Sequence, residues 1–241
     1  MRFTEYDLFY LTGEKFVTTY DLSCDWDAQD KTLITRQEYL SQLVNAKKII
    51  HVGCVDHDID TINKKIEKQE WLHALLCESA ETCLGIDINQ TGIDYIKDNL
   101  GFPLVEKLDI GEENSTIISQ HNWDAMVLAE IVEHFDNPVA FLSKIRERYK
   151  PNVSSIIVTV PNALALKNYS HAKRHIERIN SDHRFWFTPY TIAKILVQAG
   201  FEIDQLRLCV RKKPKNRFFG KQWKLKTYPL LRNGIVVTAK L

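Results

Sequence analysis

Short apolar runs alternate along the chain with segments whose hydrophobic residues recur every three or four positions. The runs cover residues 48–53, 82–87, 104–109, 124–129 and 155–160. A strand that is apolar almost throughout has to be covered on both faces. These runs therefore predict the parallel strands of a sheet that lies between two layers of helices.

Helical periodicity fills the intervals between the runs, over residues 36–46, 71–78, 91–100, 137–149 and 188–199. The last of these begins with Thr188 and Pro189 and is followed by Gly200, which is a typical pattern of helix start and stop. Strands that alternate with helices require parallel pairing and right-handed crossovers. The pattern predicts a Rossmann-like, doubly wound α/β fold.

Both ends of the chain depart from this alternation. Residues 201–210 and 234–241 read as strands without a convincing helix between them, which predicts an antiparallel C-terminal hairpin and a mostly parallel sheet of seven strands. Residues 3–11 and 16–22 predict two further strands joined by a turn. We expect residues 1–46 to form an N-terminal extension packed on a core domain that spans residues 47–241.

Composition limits the classes of protein to which the chain can belong. Its 241 residues are 44% hydrophobic and 26% charged, enough for a buried core. A net charge of +1 argues against a nucleic-acid partner. No apolar run approaches the roughly 18 residues of a membrane span, and the N-terminus lacks a signal sequence, so we expect a cytoplasmic protein. The five cysteines, without a C-x-x-C spacing, predict reduced thiols.

Candidate binding residues stand where the apolar runs stop, because ligands of open α/β sheets bind at the carboxyl ends of the strands. Gly53 permits a tight turn and a close approach of ligand to backbone. Asp87 is placed to accept hydrogen bonds from the two hydroxyls of a ribose. Asp109-Ile110 offers an acceptor for an exocyclic amine beside an apolar cover for a purine. With Ala129-Glu130, these residues predict a pocket for an adenosine-bearing ligand.

Several of these segments resemble successive motifs of class I S-adenosylmethionine (SAM) dependent methyltransferases. The segments are KIIHVGC, LGIDIN, KLDI, WDAMVLAEIVEHF, a strand that ends in VPNA, and HRFWFTPYTIAKILVQAGFEI. The resemblance extends from about Lys47 to Asp204. It is strongest to small-molecule O-methyltransferases of the ubiquinone-biosynthesis type and to relatives found with bacterial surface-polysaccharide genes.

The resemblance implies SAM as cofactor, S-adenosylhomocysteine as product, and a role for each matched position. Gly53 matches the first glycine of the cofactor loop, and Asp87 matches the acid that binds the ribose. The adenine would lie against Ile88 and would contact Asp109 and Ile110. The remaining matches are Ala129 and Glu130, beneath the methionine part of the cofactor, and His134, near the active site.

The cofactor loop departs from the family pattern at two places. His51 stands where the family usually has an acid, and Cys54 and the residues after it replace further glycines. Asp56 or Asp58 would then supply a carboxylate to the amino group of SAM. We also expect Cys54 and His73, which border this loop, to lie at the cofactor. Residues 55–69 are long for a turn and are compatible with a lid.

Methyl transfer to a hydroxyl requires a base, and histidine is the natural one near neutral pH. His134 follows the fourth strand, and His183 lies in a polar loop after the fifth, so these two are the predicted catalytic residues. Structural roles remain the alternative for both. The sequence EIVEH differs from the H-E-x-x-H zinc motif, so no metal is predicted.

The predicted acceptor is a small polar molecule, and the resemblance favours a sugar of a bacterial capsule or surface polysaccharide. The segment 211–232 mixes Lys and Arg with aromatic residues. It fits a nucleic-acid surface, a contact to a phosphorylated or nucleotide-linked sugar, or a solvated hairpin whose aromatic residues pack inward. Two rival functions stay open: a non-catalytic SAM-binding protein, and a nucleotide-cofactor oxidoreductase, which the absence of G-x-G-x-x-G disfavours.

Overall fold

Seven strands form one mixed sheet in the computed structural model, which describes residues 2–22, 32–214 and 219–241. They are β1 (Lys48–Val52), β2 (Thr82–Asp87), β3 (Val105–Lys107), β4 (Ala125–Ala129), β5 (Ser155–Pro161), β6 (Glu202–Cys209) and β7 (Gly234–Lys240). The strand order is β3-β2-β1-β4-β5-β7-β6. β1 pairs in parallel with β2 and β4, β2 pairs in parallel with β3, and β6 pairs antiparallel with β7. The predicted Rossmann-like sheet with its C-terminal hairpin is confirmed.

The described residues contain ten α-helices. They are α1 (Glu5–Thr12), α2 (Arg36–Val44), α3 (Ile59–Glu67), α4 (Leu72–Ser79), α5 (Gln90–Asp98), α6 (Thr116–Gln120), α7 (Pro138–Tyr149), α8 (Leu166–Ala172), α9 (Pro189–Gln198) and α10 (Phe219–Thr227). None of these helices has the length and apolar character that a membrane span requires.

The N-terminal strands predicted for residues 3–11 and 16–22 are wrong. Thr4 and Asp7 form a reciprocal capping box that satisfies the first free amides of α1, and Gly13 ends the helix with a φ of 87°. These local hydrogen bonds outweigh the strand preference of the aromatic residues in this segment. Residues 16–22 are not in a regular strand.

The chain divides into two compact units. Unit A comprises Met1–Arg36, Glu130–Ser143 and Val158–Lys240, and unit B comprises Gln37–Ala129, Lys144–Ile157 and Leu241. In unit A, the N-terminal segment packs on α9, where the Tyr190 hydroxyl and the Lys194 ammonium donate to the carbonyl of Tyr10, over 3.2 and 2.6 Å. The predicted domain boundary after residue 46 stays a prediction.

The core of unit B fixes the loop that follows β1. Cys54 and Val55 pack with Trp71 and two isoleucines of α5, and the Trp71 indole donates to the Cys54 carbonyl over 3.2 Å. Gly92 of α5 lies so close to this loop that an added Cβ would stand 2.2 Å from a methyl carbon of Val55. The glycine therefore permits the contact between helix and loop that sets the position of the loop.

The basic and aromatic segment 211–232 of unit A contains helix α10 and is not an open hairpin. Trp223 and Tyr228 are 58% and 50% exposed, so the expected inward packing is wrong for these two residues. Phe218 lies outside the described residues. Arg232 is buried, and its guanidinium donates to the carbonyls of Leu225 and Leu208 over 2.9 and 3.0 Å.

We expect Gly92→Ala to lower the free energy of unfolding by about 1–3 kcal/mol, because the new methyl group must displace Val55 or move α5. Urea denaturation followed by circular dichroism measures the change. Gly220→Ala is the control, since an added Cβ there meets no atom within 4 Å. Equal stability of Gly92→Ala and wild type would contradict the close packing.

Candidate functional site

A half-buried carboxylate stands at the carboxyl end of β2. One oxygen of Asp87 accepts from the amide of Val55 and the other accepts from the amide of Asn89, both over 3.0 Å. Burial raises the pKa of Asp87, although the amide hydrogen bonds act in the opposite direction. Each carboxylate oxygen can accept more than one hydrogen bond, so both oxygens retain capacity for neighbouring hydroxyls of a ribose.

The ends of three parallel strands of unit B converge on this carboxylate. Gly53 has a φ of 79°, and its amide donates to the Ile86 carbonyl over 2.8 Å. Asp87 pairs with Lys107 of β3, and the Leu108 amide donates to the Asp87 carbonyl over 2.9 Å, which sets Asp109 one residue further along. The structure therefore brings Gly53, Asp87 and Asp109 to the same edge of the sheet.

The surroundings of Asp87 suit a nucleoside. Ile88 is 69% exposed beside the carboxylate, so it offers an apolar surface to a planar base. Asp109 is exposed, and one of its oxygens accepts from the Gly111 amide over 3.0 Å. Ile110, in contrast, is buried, so the accessible apolar cover at this edge is Ile88. The residues present fit the adenosine part of SAM.

The loop after β1 holds its acids by internal contacts. Asp56 has a φ of 67° and forms an ion pair with Lys65 of α3. Asp58 caps α3 by accepting from the Thr61 amide over 2.7 Å. Most of the segment 55–69, which was predicted to form a lid, belongs to helix α3. A contact of either acid with the amino group of SAM stays a prediction.

His73 belongs to a buried polar cluster that also contains His51. The Nδ1 atoms of His51 and His73 lie 3.2 Å apart, and the Sγ atom of Cys77 lies 3.6 Å from Nε2 of His73. Gly85 makes room for the His73 ring, because an added Cβ would stand 2.7 Å from it. His73 has no exposed surface. The expectation that it lies at the cofactor is therefore not supported by its position.

Four cysteines are free thiols, as predicted: Cys54, Cys77, Cys83 and Cys209. Cys24 lies outside the described residues. The Cys54 side chain is buried in the core of unit B, so the loop can offer a ligand only the backbone at this position.

Unit A contains an acid in a left-handed backbone conformation directly after β4. Glu130 has a φ of 57°, and one of its oxygens lies 2.9 Å from Arg36 and 2.7 Å from Arg211. Burial raises the pKa of Glu130, but the two guanidinium groups together hold it below its usual range. The carboxylate is thus charged and positioned by two arginines.

A second acid and two histidines lie nearby in the same unit. Glu133 is completely buried, and burial raises its pKa to about 8. Nε2 of His183 lies 3.9 Å from a Glu133 oxygen, and the His183 ring stands perpendicular to that of His134, with centroids 4.7 Å apart. Burial, followed by the proximity of His134, lowers the pKa of His183. Nδ1 of His134 lies 2.7 Å from the Asp182 carboxylate.

The structure therefore brings the two predicted catalytic histidines together. The short 3-10 helix Val132–His134 turns Glu133 inward, and the Arg184 amide donates to the Glu133 carbonyl over 2.9 Å, which fastens the loop that carries His183. Glu133 and Asp182 were not among the predicted site residues. Both acids directly precede the histidines in the sequence, and that repeated acid–histidine pair was the available signal.

Several basic side chains of unit A lie close enough together to lower the pKa of their neighbours. Burial lowers the pKa of Lys167, and the charges of Arg211 and Arg178 lower it further. His171 also has a lowered pKa, caused by burial and then by Arg178, Arg174 and Lys167. These mutual effects define a basic cluster of Lys167, His171, Arg174, Arg178 and Arg211.

A family model described as a methyltransferase domain matches residues 30–206, which is most of the chain. The chain belongs to this methyltransferase family. The assignment confirms the predicted class of SAM-dependent methyltransferases and SAM as the cofactor. No protein of curated function matches the methyltransferase in sequence.

Solved structures of other methyltransferases share the fold. Magnesium protoporphyrin IX methyltransferase from Synechocystis PCC 6803 with bound SAH aligns with a TM-score of 0.53 and 12% identity over 92% of this chain and 90% of that one. The small RNA methyltransferase HEN1 aligns with a TM-score of 0.57 and 15% identity over 94% of this chain and 27% of that one. A putative S-adenosylmethionine dependent methyltransferase from Listeria monocytogenes aligns with a TM-score of 0.50 and 13% identity over 89% of this chain and 99% of that one.

We expect Asp87→Ala to weaken binding of SAM and SAH by about 1–3 kcal/mol, because ribose hydroxyls would lose their acceptor. Isothermal titration with SAH measures the effect, and thermal melting establishes that the variant is folded. Asp94→Ala, which removes an exposed acid of α5, is the matched control. An unchanged dissociation constant for Asp87→Ala would refute the assignment of Asp87 to the ribose.

Proposed function

We propose that the methyltransferase transfers the methyl group of SAM to a hydroxyl of a small, phosphate-bearing acceptor, such as a nucleotide-linked or phosphorylated sugar used for a bacterial surface polysaccharide. The observation that supports this most is the basic cluster in unit A. Its member Arg211 also pairs with Glu130 and affects the pKa of His183. Phosphate groups are bound by such clusters through charge-assisted hydrogen bonds.

The residues of unit B would hold the cofactor. Asp87 would accept hydrogen bonds from the ribose, Ile88 would cover the adenine, and the backbone at Gly53 would approach the ligand closely. Bound SAM supplies an electrophilic methyl carbon; the acceptor oxygen bonds to it while the C–S bond breaks and its electron pair stays on sulfur. Much of the rate enhancement of such a displacement comes from alignment of the reacting atoms.

His134 and His183 of unit A would act on the acceptor hydroxyl. A hydroxyl is a poor nucleophile until its proton is removed, and a neutral imidazole is suited to this task. His134 is oriented by Asp182 through its Nδ1 atom, which leaves Nε2 available. His183 is held between His134 and Glu133.

The hydroxyl of an RNA chain is a second candidate acceptor, supported by exposed aromatic residues among the basic ones. Tyr169 of α8 and Trp223 of α10 are both more than half exposed. Lys173 lies over the Tyr169 ring at 5.1 Å from its centroid. Aromatic side chains combined with positive charge bind single-stranded nucleic acid by stacking and phosphate contacts. The net charge of +1 favours the small acceptor.

The acceptor is tested by incubating the full chain with SAM that carries a radioactive methyl group and with UDP-glucose, GDP-mannose, dTDP-rhamnose or a short single-stranded RNA. We expect label on a sugar hydroxyl of a nucleotide-linked sugar, located by mass spectrometry. Label on the RNA alone would establish the second candidate instead. Label on a nitrogen or a carboxylate would contradict hydroxyl methylation, and bound SAM without transfer would favour a non-catalytic protein.

We expect His183→Asn to slow turnover about 100-fold on the acceptor identified by this panel, because the hydroxyl would lose a group that assists removal of its proton. The dissociation constant for SAH should stay unchanged. His175→Asn is the control, since His175 is exposed and asparagine tolerates its φ of 57°. A His183→Asn variant with full turnover would remove His183 from the mechanism.

A further inference from the structure

We propose that His73, Cys77 and Cys83 of unit B bind one Zn²⁺ ion. Each of these residues offers one ligand atom, and the three atoms all lie within 4.8 Å of one another. Thiolate and imidazole are the usual ligands of structural zinc sites, and this combination disfavours cations that prefer oxygen. The proposal departs from the expectation that the protein has no metal site.

The secondary structure explains why these three side chains meet. His73 and Cys77 are four residues apart in α4, so they lie on one face of the helix. Cys83 and Gly85 are two residues apart in β2, so they share one face of the sheet. The helix packs on this strand, and Gly85 leaves the necessary space, because an added Cβ would stand 2.7 Å from the His73 ring.

His51 of β1 adds a fourth potential ligand to this group. It is the partner of Gly85 in the parallel register, and its Nδ1 atom lies 3.2 Å from Nδ1 of His73. Nδ1 of His73 also lies 3.9 Å from Sγ of Cys77 and 3.9 Å from Sγ of Cys83. The ligand atoms of a tetrahedral zinc site are about 3.3–3.8 Å apart, since each is about 2.0–2.3 Å from the ion. The separations in the cluster are close to these values.

The cluster places more polar atoms around one nitrogen than hydrogen bonding can use. Each nitrogen of a neutral imidazole is either one donor or one acceptor, yet three polar atoms lie within 3.9 Å of Nδ1 of His73. His51, His73 and Cys83 are buried, and polar groups that are buried without full compensation cost free energy. A single cation can engage two thiolates and an imidazole at the same time, which would compensate for their burial.

Aromatic side chains fix the orientation of the His73 ring. Trp71 stands edge-on to this ring with centroids 5.4 Å apart, and Phe102 packs against it with centroids 5.5 Å apart. An apolar shell of this kind orients a metal ligand and limits the access of water. Cys77 is only partly buried, so an ion can reach the cluster from its side.

An ion at this site would join α4 to two strands that lead to the candidate cofactor site. β1 is followed directly by Gly53, and β2 ends at Asp87. Structural zinc contributes directly to the free energy of folding, because the unfolded chain has no preformed site. We therefore expect Zn²⁺ to raise the melting temperature of the wild-type chain.

Titration of the full chain with Co²⁺, without SAM or acceptor, tests the site. A chelator first removes bound metal, and a reductant without thiol groups keeps the cysteines reduced. Co²⁺ bound by thiolates absorbs in the near ultraviolet by charge transfer from sulfur, whereas Co²⁺ bound only by imidazole and carboxylate lacks this band. We expect the band to saturate at one equivalent per chain, and we expect Zn²⁺, a d¹⁰ ion, to abolish it by displacing Co²⁺.

We expect Cys77→Ser to remove most of the charge-transfer band and to weaken Zn²⁺ binding about tenfold or more, because even the loss of a group that only orients a ligand has an effect of this size. Competition with a chromophoric chelator measures the Zn²⁺ affinity. Cys209→Ala is the matched control: it removes a buried thiol of unit A and should leave the band and the affinity unchanged. Circular dichroism establishes that each variant is folded, and Cys83→Ser provides a second test should Cys77→Ser misfold.

Two outcomes would overturn the proposal: a reduced wild-type chain that shows no charge-transfer band with Co²⁺, or Cys77→Ser and Cys83→Ser variants that keep both the band and the Zn²⁺ affinity of wild type. The result is independent of the acceptor, because no methyl transfer is measured. A chain that binds Zn²⁺ through these cysteines but methylates none of the panel would retain the metal site and lose the proposed acceptor class.

Discussion

The carboxylate of Asp87 joins the structural elements on which the cofactor assignment depends. It accepts one hydrogen bond from the Val55 amide in the loop after β1 and another from the Asn89 amide at the start of α5. The Gly53 amide donates a hydrogen bond to the Ile86 carbonyl of the strand that carries this carboxylate, and Gly92 of α5 packs on the loop after β1. One acid thereby holds the turn, the strand end and the helix start together. The same acid is the group that faces a ribose in the proposed complex.

In unit A, two acids of the short segment 130–133 have opposite surroundings. Glu130 is held by Arg36 and Arg211, whereas Glu133 is buried three residues later without a hydrogen-bond partner in the described residues. Burial raises the pKa of Glu133 to about 8, which favours the neutral form of its carboxyl group near neutral pH. The basic cluster of Lys167 and its neighbours would hold the phosphate of the proposed acceptor.

Much of the fold could be predicted because apolar strands and capped helices leave strong local signals. The runs at β1, β2, β4 and β5 were recognised from continuous hydrophobic residues, and α9 was recognised from Thr188, Pro189 and Gly200. Helix α1 was missed because its capping box depends on Thr4 and Asp7, whose effect outweighs the aromatic residues around them. Helix α10 was missed because its Lys-rich sequence has a weak apolar face.

The candidate site was predictable where it depends on strand ends and unpredictable where it depends on tertiary contacts. Gly53, Asp87 and Asp109 could be selected because parallel strands end at one edge of a sheet. The burial of His73 follows from the space left by Gly85 in a neighbouring strand, which no local pattern encodes. The meeting of Glu133 with His183 joins residues 50 positions apart in the sequence. Only the folded chain reveals that proximity.

The central claim is that this edge of the sheet binds an adenosyl group that carries a methionine chain. Isothermal titration of the wild-type chain with SAH and, separately, with NAD⁺ tests it most directly. The account predicts that SAH binds one site per chain, that SAM competes for this site, and that NAD⁺ does not bind. Binding of NAD⁺ by a chain that binds neither SAH nor SAM would contradict it.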